Sequence, residues 1–158
     1  MDEREIILTN KKRIDAKHVC VHEPYEYFKY EVTKDAGLEQ CYAAIYEIPP
    51  KKSNIPYHYH LKNEEVFYII SGEGVVETFD GYKAVSAGDV MVCPPAEKGA
   101  HRITNTSDTD KLVYIDFDTM NLPEVAFYPH SGKIGVRVGE KTNEYYKRDT
   151  KVDYYEDE

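Results

Sequence analysis

The sequence contains few cysteines, and their positions exclude most cysteine chemistry. Only three occur among 158 residues, and no two form a Cys-X-X-Cys pair. We therefore expect neither a cysteine zinc site nor a thioredoxin-like function, and the odd number predicts reduced thiols in a reducing compartment. Cys93 has no adjacent base in the sequence, so we expect a small buried side chain there and not a nucleophile.

Clustered positive charge and long apolar segments are also lacking. The formal net charge is −9, and the longest basic run is Lys11, Lys12 and Arg13. Binding to a nucleic-acid backbone needs a basic surface, so we predict no nucleic-acid partner. We also predict no membrane partner, because no apolar run approaches the roughly 20 residues that span a bilayer. The charged N-terminal segment is unlike a signal peptide, and a cytoplasmic location is expected.

Helical periodicity is almost absent, and short segments rich in β-branched and aromatic residues take its place. Gly, Pro, Asp and Asn separate these segments, as is typical of strands joined by turns. Predicted strands cover residues 25–32, 40–48, 65–71, 74–79, 82–86, 89–93, 111–117 and 133–138. The pair Asp80–Gly81 predicts a tight type I′ hairpin turn. One all-β domain, a sandwich or a closed barrel, is the predicted fold.

Two histidines and a glutamate are spaced as metal ligands in the stretch PYHYHLKNEEVFYII, residues 56–70. His58 and His60 are separated by one residue, so on a strand both side chains point to one face, about 7 Å apart. Both imidazoles can then bind one metal ion. Glu65 shares a strand face with Phe67 and Ile69. A divalent cation would balance its charge, since burial of an unpaired carboxylate is costly.

A second segment, residues 87–107, supplies a third imidazole. Gly88 opens a strand that Pro94 ends, and Gly99 permits a turn before His101. Asn105 follows four residues later. Three histidines and one carboxylate on strands of one barrel predict a mononuclear metal site with open positions for water, substrate or dioxygen.

Together the two segments resemble the two motifs of the cupin family. The first motif, G-x5-HxH-x3,4-E-x6-G, is matched at His58, His60, Glu65 and Gly72. The second, G-x5-PxG-x2-H-x3-N, is matched at Gly88, Pro94, His101 and Asn105. The resemblance covers roughly residues 40–118 and agrees in several independent spacings. It implies a double-stranded β-helix, the jelly-roll barrel of cupins.

The sequence departs from these motifs at three points. Lys52 stands where the first motif has its opening glycine, and the longer PPAEKG, residues 94–99, replaces the PxG turn. Glu64 is an alternative ligand to Glu65, because the family tolerates either spacing from the histidines. Two observations favour Glu65: it lies on the same face of the strand as Phe67, and six residues separate it from Gly72, as in the motif.

The resemblance also implies a cofactor, a domain organisation and an oligomeric state. The cofactor is one divalent transition metal ion, with zinc, iron, manganese and nickel all open, held by His58, His60, Glu65 and His101. The chain divides into N-terminal strands packing on the barrel (1–39), the cupin barrel (40–118) and a C-terminal extension with an acidic tail (119–158). The outward apolar residues Val66, Tyr68 and Ile70 need a cover, either the terminal segments or a second chain. Because small cupins often pair through such sheets, a homodimer is expected.

Two functions are consistent with such a site. The first is a metal-dependent enzyme, of dioxygenase or isomerase type, acting on a small molecule inside the barrel. The sequence assigns no catalytic acid or base. The alternative is a non-catalytic cupin that binds or senses a small metabolite such as a sugar or an organic acid. No helix-turn-helix pattern is present, which disfavours a DNA-binding sensor.

Overall fold

The computed structural model describes residues 5–139 and 142–157, and almost all regular structure in them is β-strand. The strands are β1 (Lys17–His22), β2 (Tyr25–Glu31), β3 (Cys41–Ile48), β4 (Tyr59–His60), β5 (Glu65–Ser71), β6 (Glu73–Thr78), β7 (Gly81–Ser86), β8 (Val90–Cys93), β9 (His101–Asn105), β10 (Leu112–Thr119), β11 (Glu124–Tyr128), β12 (Lys133–Gly139) and β13 (Thr142–Lys147). Short 3₁₀ turns cover Lys11–Arg13, Glu97–Gly99 and Pro129–Ser131. Within the described ranges, no helix has the length and apolarity to cross a membrane.

The strands form three antiparallel sheets. A six-stranded sheet has the order β1-β2-β3-β10-β5-β8, a three-stranded sheet the order β7-β6-β9, and a four-stranded sheet the order β13-β12-β11-β4. Isolated bridges from Ser53 to Thr104 and from His58 to His101 tie the segment before β4 to β9. The four-stranded sheet is thereby joined to the edge of the three-stranded sheet. This is the all-β jelly-roll fold of cupins that the sequence predicts.

Side chains from the six-stranded and three-stranded sheets form one apolar core. It contains Ala44, Tyr46 and Ile48 from β3, Phe67 and Ile69 from β5, Val76 from β6, Cys93 from β8, Ile103 from β9, and Leu112 and Tyr114 from β10. Alternate residues of each strand face inward because side chains alternate across a strand. The core therefore lies between the two sheets.

The inward face of neighbouring strands changes from apolar to acidic along its length. On β10, Leu112 and Tyr114 are fully buried in the apolar core, whereas Asp116 and Asp118 follow on the same face. Asp118 pairs directly with Glu65 of β5 in the strand register. One end of the interior is thus apolar and the other carries carboxylates, and the candidate site lies at the acidic end.

The terminal segments extend the sheets of the central region. Near the N-terminus, β1 pairs with β2 and β2 with β3. Near the C-terminus, β11 pairs with the short strand β4, which contains His60. The C-terminal segment therefore reaches the candidate site. By contrast, Tyr68 and Ile70 on the outward face of β5 are each 44% exposed, so no described terminal residue buries them.

Candidate metal centre

His58, Glu65 and His101 converge at the acidic end of the interior. One potential ligand atom from each lies within 4.8 Å of those of the other two. The three side chains are 5%, 7% and 2% exposed, respectively. His58 and His101 are held side by side because their backbones exchange two hydrogen bonds, of 3.2 and 2.9 Å. Glu65 reaches them from the first position of β5.

Hydrogen bonds to backbone carbonyls orient both imidazoles. The Nδ1–H of His58 donates to the carbonyl of Pro56, and that of His101 donates to the carbonyl of Gly99, each at 2.9 Å. The other ring nitrogen of His101, Nε2, lies 3.5 Å from Glu65 Oε2. Metal-binding histidines are commonly fixed in this way by a partner on the other ring nitrogen.

His60 lies beside this triplet, between two carboxylates. Its Nε2 is 3.5 Å from Glu65 Oε1 and its Nδ1 is 3.7 Å from Glu124 Oε1. Burial alone would lower the pKa of His60, but Glu124 and Glu65 together raise it to about 10. In the metal-free protein His60 is therefore a cation, and a bound metal would have to replace its proton.

His58 and Glu65 are already in the charge state that a metal ion requires. Burial, followed by the neighbouring His101, lowers the pKa of His58 to about 3, so its imidazole is neutral at pH 7. Burial acts to raise the pKa of Glu65, but His60, His101 and His58 outweigh it and lower this pKa to about 2. The cluster is therefore an ionised carboxylate among imidazoles.

The structure separates the two candidate glutamates. Glu65 is buried in the cluster, whereas Glu64 is exposed and its backbone N–H donates to Thr119 Oγ1 at 2.9 Å.

Asn105, the last residue of the second motif, is a structural residue. Its amide donates to the carbonyls of Ile48 and Asp110, each at 2.8 Å. That a metal ion is bound by His58, His60, Glu65 and His101 stays a prediction.

Gly99 accounts for the unusual turn before His101. A Cβ built on Gly99 would lie 1.7 Å from the carbonyl oxygen of Pro94, so a side chain cannot be accommodated without moving the backbone. The longer PPAEKG segment ends in a 3₁₀ turn, Glu97–Gly99, and still delivers His101 to the start of β9.

Two buried aspartates next to Glu65 lie outside the two motifs. Potential ligand atoms of Glu65, Asp116 and Asp118 also lie within 4.8 Å of one another. Burial and the charge of Asp118 raise the pKa of Asp116, and burial and Glu65 raise that of Asp118. An alternating pair of aspartates in the otherwise apolar strand LVYIDFDT is the sequence signal for them, since both must share the inward face.

Glu124 is a further site residue outside the motifs. Besides facing His60, its Oε1 accepts hydrogen bonds from the backbone N–H groups of Leu61 and Lys62, at 2.7 and 3.2 Å. It is 3% exposed. No motif spacing could identify it, because it comes from β11, in the extension beyond the motifs.

Besides a small cavity of about 130 Å³ beside His60 and Glu124, two larger cavities reach the candidate centre from different sides. One, of about 390 Å³, contains His60, Asn63 and Asp118 together with charged residues of β1, β2 and β12. The other, of about 410 Å³, contacts His101 and has the side chains of Val76, Met91 and Cys93 in its wall. Ligand sites need a few convergent polar groups, and the first cavity supplies them.

These residues fit a divalent transition metal ion. Imidazole nitrogens and an ionised carboxylate are ligands for zinc, iron, manganese and nickel alike. His58, Glu65 and His101, which the structure brings together, would hold the ion, and His60 would join them on losing its proton. The residues do not select one metal from this group.

Comparison with known proteins identifies the family. A family model described as a cupin domain matches residues 44–118. An uncharacterized protein of Methanocaldococcus jannaschii is 33% identical, over 51% of this chain and 72% of that protein. Residues 44–118 are therefore a cupin domain, which confirms the resemblance of the two motifs.

Several solved structures share the fold at low sequence identity. A protein proposed to be a sugar phosphate isomerase, from Acidithiobacillus ferrooxidans, is 24% identical with a TM-score of 0.80, covering 96% of this chain and 97% of that one. A cupin described as a sugar phosphate isomerase, from Silicibacter pomeroyi, is 16% identical with a TM-score of 0.79, covering 91% and 94%. A polyketide cyclase of Streptomyces resistomycificus is 17% identical with a TM-score of 0.63, covering 76% and 84%. At these sequence identities, the similarity shows only that the fold is shared.

Proposed function

We propose that the protein is a metal-dependent enzyme of isomerase type that acts on a small polar molecule inside the cupin fold. One observation carries the proposal: the buried His58–Glu65–His101 cluster lies beside a polar cavity that also contains the carboxyl group of Asp118. The two oriented imidazoles support metal binding, and the cavity supports access for a ligand.

A bound metal would polarise a carbonyl or hydroxyl oxygen of the substrate. The chain itself supplies a group that can move a proton. Asp118 lines the cavity, and burial with Glu65 raises the pKa of its carboxyl towards neutrality. A general base works best when its pKa lies near the operating pH. In this proposal an Oδ atom of Asp118 takes a proton from the hydroxyl-bearing carbon next to a carbonyl and returns it to the carbonyl carbon, while the hydroxyl proton passes to the former carbonyl oxygen.

The polar cavity favours isomerisation over dioxygenation. Its wall includes Asn63, Asp118 and Asn143, which suit a substrate with several hydroxyl groups, and an acid–base group is the requirement of a proton-transfer reaction. The description of two structural neighbours as sugar phosphate isomerases supplies the reaction class to test first. A cytoplasmic location belongs to the same proposal, since polar metabolites of this kind are available there.

Hydrogen exchange at carbon tests this function. Metal-reconstituted protein is incubated in D₂O with a panel of hydroxyaldehydes and hydroxyketones, with and without a phosphate group, and proton NMR follows the carbon next to the carbonyl. We expect deuterium incorporation and interconversion, both abolished by chelation of the metal and by Asp118→Asn. His22→Ala, at an exposed histidine of β1, is the control.

Other outcomes would replace the proposal. Consumption of dioxygen without deuterium incorporation would indicate the dioxygenase type. Ligand binding with neither reaction would indicate the non-catalytic binding module.

A further inference from the structure

Three basic side chains from three strands converge on the cavity beside the candidate metal centre. Lys17 of β1, Lys29 of β2 and Arg137 of β12 line it, with Glu31 and Asp118 as the acidic residues. The whole chain carries a net charge of −9. A cavity in which basic residues outnumber acidic ones is therefore a local reversal of the charge of the molecule.

Lys29 is fixed in place by its neighbours. Its Nζ lies 3.4 Å from Glu31 Oε1 and 4.8 Å from the ring centre of Tyr42. Glu31 in turn accepts a hydrogen bond of 3.2 Å from the hydroxyl of Tyr42. An ammonium group held against a carboxylate and an aromatic face is pre-organised, so little side-chain entropy is lost when a ligand binds.

Arg137 and Lys17 have unused donors. Within residues 5–139 and 142–157, neither side chain forms an ion pair or a hydrogen bond. Arg102, by comparison, is paired with Glu77 at 2.8 Å. A guanidinium group carries five N–H donors in a planar fork that matches the oxygens of a phosphate or carboxylate. The half-buried Arg137 therefore has the geometry of an anion ligand without a protein partner.

His60 links the basic residues to the metal-binding cluster. It lines the same cavity as Lys29 and Arg137 and contacts Glu65 at 3.5 Å. The cavity volume of about 390 Å³ is within the range of small-molecule sites, roughly 300–1,000 Å³. A polyhydroxy molecule in this cavity can therefore contact His60 with one end and the basic residues with the other.

We propose that Lys17, Lys29 and Arg137 form a subsite for the anionic group of the substrate, so that the enzyme takes a polyhydroxy compound bearing a phosphate monoester or a carboxylate. The choice of a polyhydroxy compound rests on the proposed function. The anion subsite itself depends only on the three basic residues and is tested without catalysis.

The first experiment measures anion binding to metal-free protein. Chelator-treated chain is titrated calorimetrically with inorganic phosphate at constant ionic strength, so that no metal can hold the anion. We expect saturable binding that weakens at least 10-fold in Arg137→Gln and in Lys17→Gln. Arg148→Gln, an exposed arginine outside the cavity, is the matched control and should bind phosphate as the parent does.

The second experiment identifies the anion. A sugar monophosphate, a uronic acid and the neutral parent sugar are compared for binding to the same proteins. We expect at least one of the two anions to bind 10-fold or more tightly than the neutral sugar, with the advantage lost in Arg137→Gln. The anion with the larger advantage, phosphate or carboxylate, defines the substrate.

Equal binding of all three sugars, or an advantage that survives Arg137→Gln and Lys17→Gln together, would overturn the subsite. Thermal unfolding is measured for each variant. An unfolding temperature equal to that of the parent shows that a loss of binding is not caused by a loss of folding. A protein that binds the anion at this site but exchanges no deuterium would contradict the proposed function and leave the subsite standing.

Discussion

The Nδ1–H groups of His58 and His101 each donate to the carbonyl two residues earlier in the chain. Each imidazole is therefore held by its own local backbone and keeps its Nε2 free. Glu65 lies between the histidines, and its negative charge is balanced in the metal-free protein by the protonated His60. At the residue scale, the cluster has the charge and tautomers that a divalent ion needs.

Glu124 should act on the metal through His60. Glu124→Gln removes a charge beside Nδ1 of His60 but keeps an oxygen that can accept from Leu61 and Lys62. We expect the metal affinity to fall roughly 10- to 100-fold, because the lost orientation and basicity of His60 outweigh the easier release of its proton. Competition with a metallochromic chelator measures it. Glu64→Gln, at an exposed position, should leave the affinity unchanged.

Asp116 should make the metal-free protein less stable at high pH. Its pKa is raised by burial and by Asp118, whereas in the unfolded chain an aspartate has a pKa of about 3.9. Above about pH 4 the unfolded state binds fewer protons than the folded state, so stability falls as pH rises.

Asp116→Asn removes this pH dependence. We expect equal free energies of unfolding for variant and parent near pH 4, and a variant more stable by over about 1 kcal/mol at pH 9, since one pKa unit is worth 1.36 kcal/mol. Urea unfolding of chelator-treated protein at the two pH values measures the difference. The control Asp149→Asn, at an exposed aspartate, should have the same free energy of unfolding as the parent at both pH values. If the stability of the parent and of Asp116→Asn depended on pH in the same way, the role given to Asp116 would be contradicted.

At the scale of elements, the sequence predicted most of the strands that carry core residues but missed β9, which carries Ile103. The eight predicted strands match β2, β3, β5, β6, β7, β8, β10 and β12 to within two residues at each end. The missed strands are β1, β4, β9, β11 and β13. The six residues of β1, KHVCVH, are almost all exposed, so no apolar alternation marked that strand. The segment is a strand because it pairs with β2, and this pairing leaves no signal in its own composition.

The hairpin between β6 and β7 was predicted, but its turn lies one residue earlier. Thr78 pairs with Gly81, so Phe79 and Asp80 form the loop and Gly81 follows with φ of +109°. The predicted type I′ turn at Asp80–Gly81 is wrong. Such a turn requires a positive φ at Asp80, and Asp80 is not among the described non-glycine residues with positive φ. The glycine is needed beside the loop and not inside it.

The turn before β9 should be intolerant of any side chain at position 99. Gly99→Ala places a Cβ on the carbonyl of Pro94, so the turn must shift and His101 must move with it. We expect a loss of about 2 kcal/mol or more in stability, at the upper end for single substitutions, together with weakened metal binding. Gly139→Ala, where a Cβ meets nothing within 4 Å, is the control, and equal behaviour of the two variants in chemical unfolding would refute the assignment.

At the scale of the whole molecule, motifs located the candidate metal ligands but not the groups around them. The motif spacings alone were enough to single out His58, His60, Glu65 and His101. Glu124 and Arg137 come from the C-terminal extension, and Lys17 and Lys29 from the N-terminal strands. Their positions depend on long-range strand pairing, which the sequence pattern of one strand does not specify.

The outward face of the six-stranded sheet is the basis for our proposal of a homodimer. Tyr68 and Ile70 of β5 and Val90 and Val92 of the edge strand β8 are 44%, 44%, 63% and 67% exposed, respectively. A contiguous apolar patch at a sheet edge favours association with a second chain.

Light scattering after size-exclusion chromatography tests the dimer. We expect twice the chain mass of 18.3 kDa for the parent and a monomer for Tyr68→Lys combined with Val92→Lys, since a buried lysine without a partner opposes association. Val138→Lys, on an exposed position of β12, should remain dimeric. A monomeric parent at micromolar concentration would exclude the proposal.

Metal content is the measurement that tests the account most directly. The parent, His58→Ala, His101→Ala and the control His22→Ala are each offered iron, manganese, nickel and zinc, passed through a desalting column and assayed for bound metal. We expect about one equivalent per chain in the parent and in His22→Ala, and less than a tenth of that in the two site variants. No bound metal in the parent with any of the four ions, or full retention in both site variants, would contradict a metal centre at His58, Glu65 and His101.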